Sequence, residues 1–145
     1  MIFEEKKREE ACYQVHHVGY LVADINSAVQ EFEALGYKVQ QQIIYDPVRL
    51  INICFIENHG VLVELIAPVE QCQIFTKLRK KIGNAPYHIC YLVKGDFNVK
   101  LESLLERGYL LVQPPEPAVA LGGRRVAFLM NDAIGLIEIL ESKDD

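Results

Sequence analysis

His17-Val-Gly-Tyr-Leu-Val22 and His88-Ile-Cys-Tyr-Leu-Val93 are two versions of one phrase, set 71 residues apart. A second phrase, Phe55-(x8)-Glu64, returns as Phe128-(x9)-Glu138 at offsets of 73 and 74. The chain therefore repeats itself at low identity, and each copy carries one histidine and one glutamate. Two imidazoles and two carboxylates form a ligand set suited to a borderline or hard divalent ion such as Zn, Ni, Co, Mn or Fe. The glutamates strengthen that reading. Each lies mid-strand between apolar neighbours, Val63 and Leu65 or Ile137 and Ile139, and burying an unpaired carboxylate costs several kcal/mol. Two such residues at equivalent positions require a partner or a metal.

Working outward, Val15 to Val22 is β-rich, and period-2 spacing puts His17, Gly19 and Leu21 on one face. Asp24 has the chemistry of an N-cap. Ile25, Ala28, Val29, Phe32 and Leu35 follow at helical spacing, and Gly36 stops the helix. Strands are expected at 37–44, 50–56 and 61–66, separated by Asp46-Pro47 and Asn58-His59-Gly60. The first module, 13–69, is thus βαβββ. A linking helix is expected over 70–82, with Ile74, Leu78 and Ile82 on its apolar side, inside a connector spanning 70–86. The basic cluster Lys77, Arg79, Lys80 and Lys81 reads as the solvated face of that helix.

The pattern then restarts in a second module, 87–141. Strand 87–93, helix 97–106 stopped at Gly108, and strands 109–113, 125–130 and 135–140 repeat the βαβββ order. Gln113-Pro-Pro-Glu-Pro-Ala-Val-Ala-Leu-Gly-Gly123 reads as a Pro/Gly-rich loop, a candidate lid or binding loop. Residues 1–12 form a charged lead-in and 142–145 a tail.

Composition narrows the function classes. The 145 residues are 50% apolar and 24% charged, which describes an ordinary globular protein. Modules of about 70 residues bury a core poorly alone and gain by packing together. A net charge of −5 argues against a nucleic-acid partner, because neutralising phosphates needs a basic face. No apolar stretch is long enough for a membrane span or a secretory signal, and the expectation is a cytoplasmic protein. Cys12, Cys54, Cys72 and Cys90 form no CxxC pair and read as packing thiols in a reducing compartment.

The ordered set His17-Val-Gly19, Val63-Glu64-Leu-Ile-Ala-Pro68, Tyr87-His88-Ile89 and Gly135-Leu-Ile-Glu138-Ile-Leu140, carried by paired βαβββ modules, resembles the vicinal oxygen chelate superfamily. That superfamily includes glyoxalase I, methylmalonyl-CoA epimerase, extradiol dioxygenases and bleomycin-resistance proteins, and the resemblance covers residues 13–141. It implies an α+β fold whose two modules form a U-shaped cleft. It also implies one divalent metal per chain (Zn, Ni, Co or Mn), held by His17, Glu64, His88 and Glu138.

Such a metal acts as a Lewis acid for proton transfer next to a carbonyl, with Glu138 as the favoured base and Glu64 second. Within the superfamily, four retained ligands depart from the two-His, one-Glu triad of the dioxygenases and from metal-free binders. The helix at 70–82 and the Gly122-Gly-Arg-Arg-Val-Ala-Phe128 stretch look most like methylmalonyl-CoA epimerase. Glyoxalase I-type lyase chemistry, or small-molecule binding without turnover, is the alternative. The substrate implied is an acyl-CoA or a thiol adduct, and the implied assembly is a homodimer. Arg49, Arg124 and Arg125 are candidate contacts for an anionic substrate group. Asn52 is expected at the position of a second epimerase base, where an amide cannot shuttle a proton.

Overall fold

The computed structural model describes residues 12–143, so most of the charged lead-in and the last two tail residues lie outside the described part. Nine strands and three α-helices occur among the described residues. The chain divides into two compact units, one comprising His17–His88 and the other the described residues on either side of it. The division passes through β1 (Tyr13–Leu21) and β6 (Ala85–Val93).

In the unit His17–His88, the sequence after β1 turns at Asp24, whose carboxylate accepts from the Ser27 N–H at 3.0 Å and caps α1 (Ile25–Ala34). A cap of this kind contributes about 1 kcal/mol. Past α1 the chain turns at Gly36, at φ 96°, a left-handed conformation that glycine adopts without a Cβ penalty. The single strand expected over 37–44 is instead two short pieces, β2 (Lys38–Val39) and β3 (Ile44–Asp46). The Gln40 and Gln41 N–H groups both donate to the Phe55 carbonyl, at 2.9 and 3.4 Å, which breaks the ladder between the pieces.

β4 (Ile51–Asn58) pairs antiparallel with β2, β3 and β5 (Val61–Pro68), and β5 pairs parallel with β1. Uninterrupted register between β4 and β5 keeps strict alternation. One face, Cys54, Ile56, Val63, Leu65 and Ala67, joins Ile25, Phe32 and Tyr37 in a core beneath α1. Each fully buried aliphatic or aromatic side chain there contributes about 1.5–3 kcal/mol. Burial also raises the pKa of the Cys54 thiol, which accords with a packing thiol rather than a reactive one.

α2 (Gln73–Ile82) starts three residues later than expected, and its buried face differs from the expected stripe. Ile74 and Ile82 are exposed, whereas Phe75 is buried and meets the Tyr87 ring edge-on at 5.7 Å. An aromatic anchor thus replaces the aliphatic stripe, and Arg79, Lys80 and Lys81 fall in the last turn, where they complement the helix dipole.

In the other unit, β6 pairs parallel with β9 (Gly135–Glu141), β9 antiparallel with β8 (Arg125–Asn131), and β8 with β7 (Leu110–Pro117). α3 (Phe97–Glu106) is capped by Asp96, which accepts from the Val99 N–H at 3.0 Å. Its Phe97 and Leu104 pack with Val93, Ala127, Leu129, Ile137 and Ile139.

The expected loop 113–123 is corrected. Its first half continues β7 through Pro114, Pro115 and Pro117, and its second half is a 3-10 turn, Val119–Leu121. Proline is tolerated because β7 pairs on one side only, with β8, and two register shifts interrupt the ladder there.

Candidate metal centre

Strand alternation decides what shares a face. In β5, Glu64 lies on the side opposite Val63 and Leu65, and its parallel partner in β1 is Gly19. His17, two residues before Gly19, therefore shares the Glu64 face. So does Phe55, the antiparallel partner of Glu64 in β4.

The side chains converge. His17 Nε2 is 3.2 Å from Glu64 Oε1, His88 Nε2 is 3.8 Å from the same oxygen, and the two Nε2 atoms are 3.5 Å apart. All three residues are buried, with relative exposures of 1% for His17, 5% for Glu64 and 4% for His88. The edge of the Phe55 ring meets the His17 imidazole at 5.4 Å, and Tyr87 meets His88 at 4.5 Å, so each imidazole is held by an aromatic neighbour.

The triangle fits one first-row divalent ion. Metal–nitrogen and metal–oxygen bonds of about 2.0–2.2 Å at tetrahedral or octahedral angles separate neighbouring donors by about 2.8–3.6 Å. The observed edges of 3.2 and 3.5 Å lie within that spacing and the edge of 3.8 Å slightly outside it. Two imidazole nitrogens and a carboxylate oxygen, brought face to face out of water, are all electron-pair donors. They need shared protons or a cation between them.

The second unit repeats the register. Glu138 is the parallel partner of Cys90, which lies two residues after His88, and the antiparallel partner of Phe128. The sequence of relations His, plus two, Glu, Phe is thus the same in both copies. Glu138 is buried at 4% exposure. Sequence reading passed over two polar residues on its face. The register shifts in β7 bring Gln113 opposite Phe128 and Glu116 opposite Val126, both on the Glu138 side of β8.

The candidate substrate contacts fare differently. Arg49 is held by a buried carboxylate. Its Nη1 donates to Asp46 Oδ2 at 2.9 Å, while Asp46 Oδ1 accepts from the Val48 and Arg49 N–H groups at 2.9 and 3.1 Å. This turn carries Leu50 at φ 59°, a conformation that non-glycine residues adopt at a cost. Asn52 pairs with Ala67 and so lies on the α1 side of β4, opposite Phe55 and Glu64. The Glu64 side of β4 carries Ile51, Ile53 and Phe55 instead, with Glu57 near the strand's end.

Arg125 is likewise on the helix side. Its guanidinium binds Glu141 at 2.8 Å, reaches Asn98 at 3.3 Å and lies 5.0 Å above the Phe97 ring. That pairing raises the Arg125 pKa and lowers that of Glu141. Arg124 donates through Nε to the Leu121 carbonyl at 3.1 Å, bracing the turn before β8.

Two α+β units with one topology and one His/Glu register define an internally duplicated protein with a candidate His/Glu metal cluster. The chain belongs to the glyoxalase/bleomycin resistance protein/dioxygenase superfamily, whose family model matches residues 10–128. Solved structures agree on the fold. A hypothetical protein from Bacillus halodurans C-125 superposes with a TM-score of 0.80 at 24% identity, over 92% of this chain and 96% of that one. Methylmalonyl-CoA epimerase from Mycobacterium tuberculosis gives 0.75 at 22% identity, over 88% and 86%. A methylmalonyl-CoA epimerase in complex with methylmalonyl-CoA and NH4+ gives 0.77 at 18% identity, over 92% and 96%. No curated protein matches at a significant level. None of the helices among the described residues is long and apolar enough to cross a membrane.

Proposed function

We propose that the chain is a metal-dependent isomerase or lyase of the epimerase and glyoxalase type, acting on a carbonyl compound such as an acyl-CoA or a thiol adduct. The observation that carries this reading is the convergence of His17 Nε2, His88 Nε2 and Glu64 Oε1, with edges of 3.2 to 3.8 Å. Glu138 supplies the fourth ligand, a role supported by the shared register of the two copies. A divalent ion bound there supplies Lewis acidity toward neighbouring substrate oxygens.

The chain's own residues do the rest. Glu138 is the favoured candidate to take the proton from the carbon next to the carbonyl at a carboxylate oxygen, with Glu64 second. Ile51, Ile53 and Phe55, each under 5% exposed, keep water from the β4 side of Glu64. Arg49, fixed by Asp46, and Arg124 are the candidates for an anionic substrate group. The homodimer and the cytoplasmic setting belong to the same proposal.

The apolar β4 face favours a second reading. Two-base epimerisation needs a second acid, and the acid that β4 carries on this face, Glu57 near the strand's end, is tied to the Gly60 N–H at 2.8 Å, which favours single-base lyase chemistry of the glyoxalase I type. The test is incubation in deuterated water, in parallel, with methylmalonyl-CoA and with methylglyoxal–thiol adducts. Deuterium at the carbon next to the carbonyl in either case supports proton transfer. Absence of exchange with every substrate tried, by metal-loaded protein, contradicts it.

A further inference from the structure

Of the nine glycines in the chain, eight have positive φ, at Gly36, Gly60, Gly83, Gly95, Gly108, Gly122, Gly123 and Gly135. Backbone conformation accounts for those eight. Gly19 is the exception: it lies inside β1 with ordinary strand geometry, where a glycine weakens the strand and offers nothing to pack. The reason for it lies in another strand. A Cβ placed on Gly19 would fall within the His88 imidazole, meeting Cε1, Nδ1 and Nε2 together at distances no real side chain tolerates.

We propose that Gly19 is a positioning residue: its missing side chain is the slot in which the His88 ring lies, and the slot aims His88 Nε2 at His17 and Glu64. The ring is confined on another side by Tyr87, 4.5 Å away and edge-on, and meets the His17 ring at 5.5 Å. A methyl group at position 19 forces the imidazole out of this place, because the obstruction is the ring itself and not the flexible end of a long side chain. The repeat-equivalent residue, Cys90, does carry a side chain, so the requirement for glycine belongs to this copy alone. The packing part of the inference stands without a metal; the aiming part rests on the proposed metal centre.

A mutant cycle in metal-free protein separates the two. Gly19→Ala is expected to lower the urea midpoint when His88 is present, and to leave it unchanged or raise it in the His88→Ala background, where the ring is gone. If Gly19→Ala alone does not fold, recovery of the fold in the double variant is the same result in stronger form. An equal loss in both backgrounds, or a double variant that fails to fold although His88→Ala folds, overturns the inference.

Co(II) titration followed by visible absorption tests the aiming. Disturbing the support of a ligand typically weakens metal affinity about 10- to 100-fold, and that loss is expected for folded Gly19→Ala. Unchanged Co(II) affinity and spectrum overturn the aiming role. Wild-type protein that takes no Co(II) overturns it together with the metal centre, whereas the midpoints still decide the packing.

Discussion

The two units share a register and differ in what fills it. In the unit His17–His88 the residue two places after the histidine is Gly19, lying under an imidazole; in the other unit it is Cys90, fully buried. The residues beside the glutamates differ too: Ile51, Ile53 and Phe55 flank Glu64 across β4, whereas Gln113 and Glu116 share the face of Glu138 across β8 and β7. The two copies thus keep the His and Glu positions while the surroundings differ. β8, like β4, is apolar next to its glutamate, at Val126 and Phe128, and the polar Gln113 and Glu116 come one strand further out. The proposed function assigns both glutamates to the ion and gives Glu138 the proton transfer as well.

Replacing each glutamate by its amide breaks or sharpens that comparison most strongly. Glu138→Gln is expected to lower proton exchange into an accepted substrate about 10²- to 10⁴-fold, the usual range for a general base, and to leave substrate affinity nearly intact. Glu64→Gln is expected to act mainly through lost metal. Solvent-deuterium incorporation and metal content, measured side by side, distinguish the two, and identical behaviour of both variants breaks that assignment.

Phe55→Ala removes a buried ring that meets the His17 imidazole at 5.4 Å, and is expected to cost about 3–5 kcal/mol in urea unfolding. Phe128→Ala, at the equivalent place in the other copy and 5% exposed, is expected to cost a similar amount. Of the two, Phe55→Ala alone is expected to lower metal affinity in the folded protein. Asp46→Ala removes the carboxylate that satisfies two N–H groups and the Arg49 guanidinium, for an expected loss of about 1–3 kcal/mol. The corresponding connection in the other unit, the 3-10 turn Val119–Leu121, contains no carboxylate, so the effect is confined to one copy.

The smallest effect concerns the Arg125–Glu141 pair, which is partly exposed and therefore screened, contributing up to about 1 kcal/mol. Hydrogen bonds from Arg125, side chain and backbone, hold the Glu141 pKa below the ordinary carboxylate value. A depressed carboxylate stabilises the fold above its unfolded pKa and loses that contribution as pH falls through the folded one. The stability difference between wild type and Glu141→Gln is therefore expected to be level at neutral pH and to shrink in acid. Urea midpoints between pH 7 and pH 3 check it.

Much of this was legible in the sequence. The offset phrases gave the duplication, Asp24 and Gly36 bracketed the first helix, and the helix 97–106 is where spacing put it. Parity in a strand also held information that the candidate-contact reading missed. Asn52 and Phe55 are three residues apart in one unbroken strand, as are Arg125 and Phe128, so each pair must occupy opposite faces. Other features were beyond local pattern. The buried side of α2 is set by Tyr87, an aromatic partner in another strand, and Gln113 and Glu116 reach their face through bulges that alternation cannot foresee. Period-2 spacing put Gly19 beside His17, but only the fold laid the His88 ring across it.

The most direct test of the account is the metal content of the purified protein after reconstitution with Co, Ni, Zn and Mn, compared with the His88→Ala and Glu138→Ala variants. The account predicts about one bound ion per chain in the wild type and loss of that ion in both variants. A wild-type protein that binds none of the four ions, or variants that keep the ion at full affinity, would contradict it.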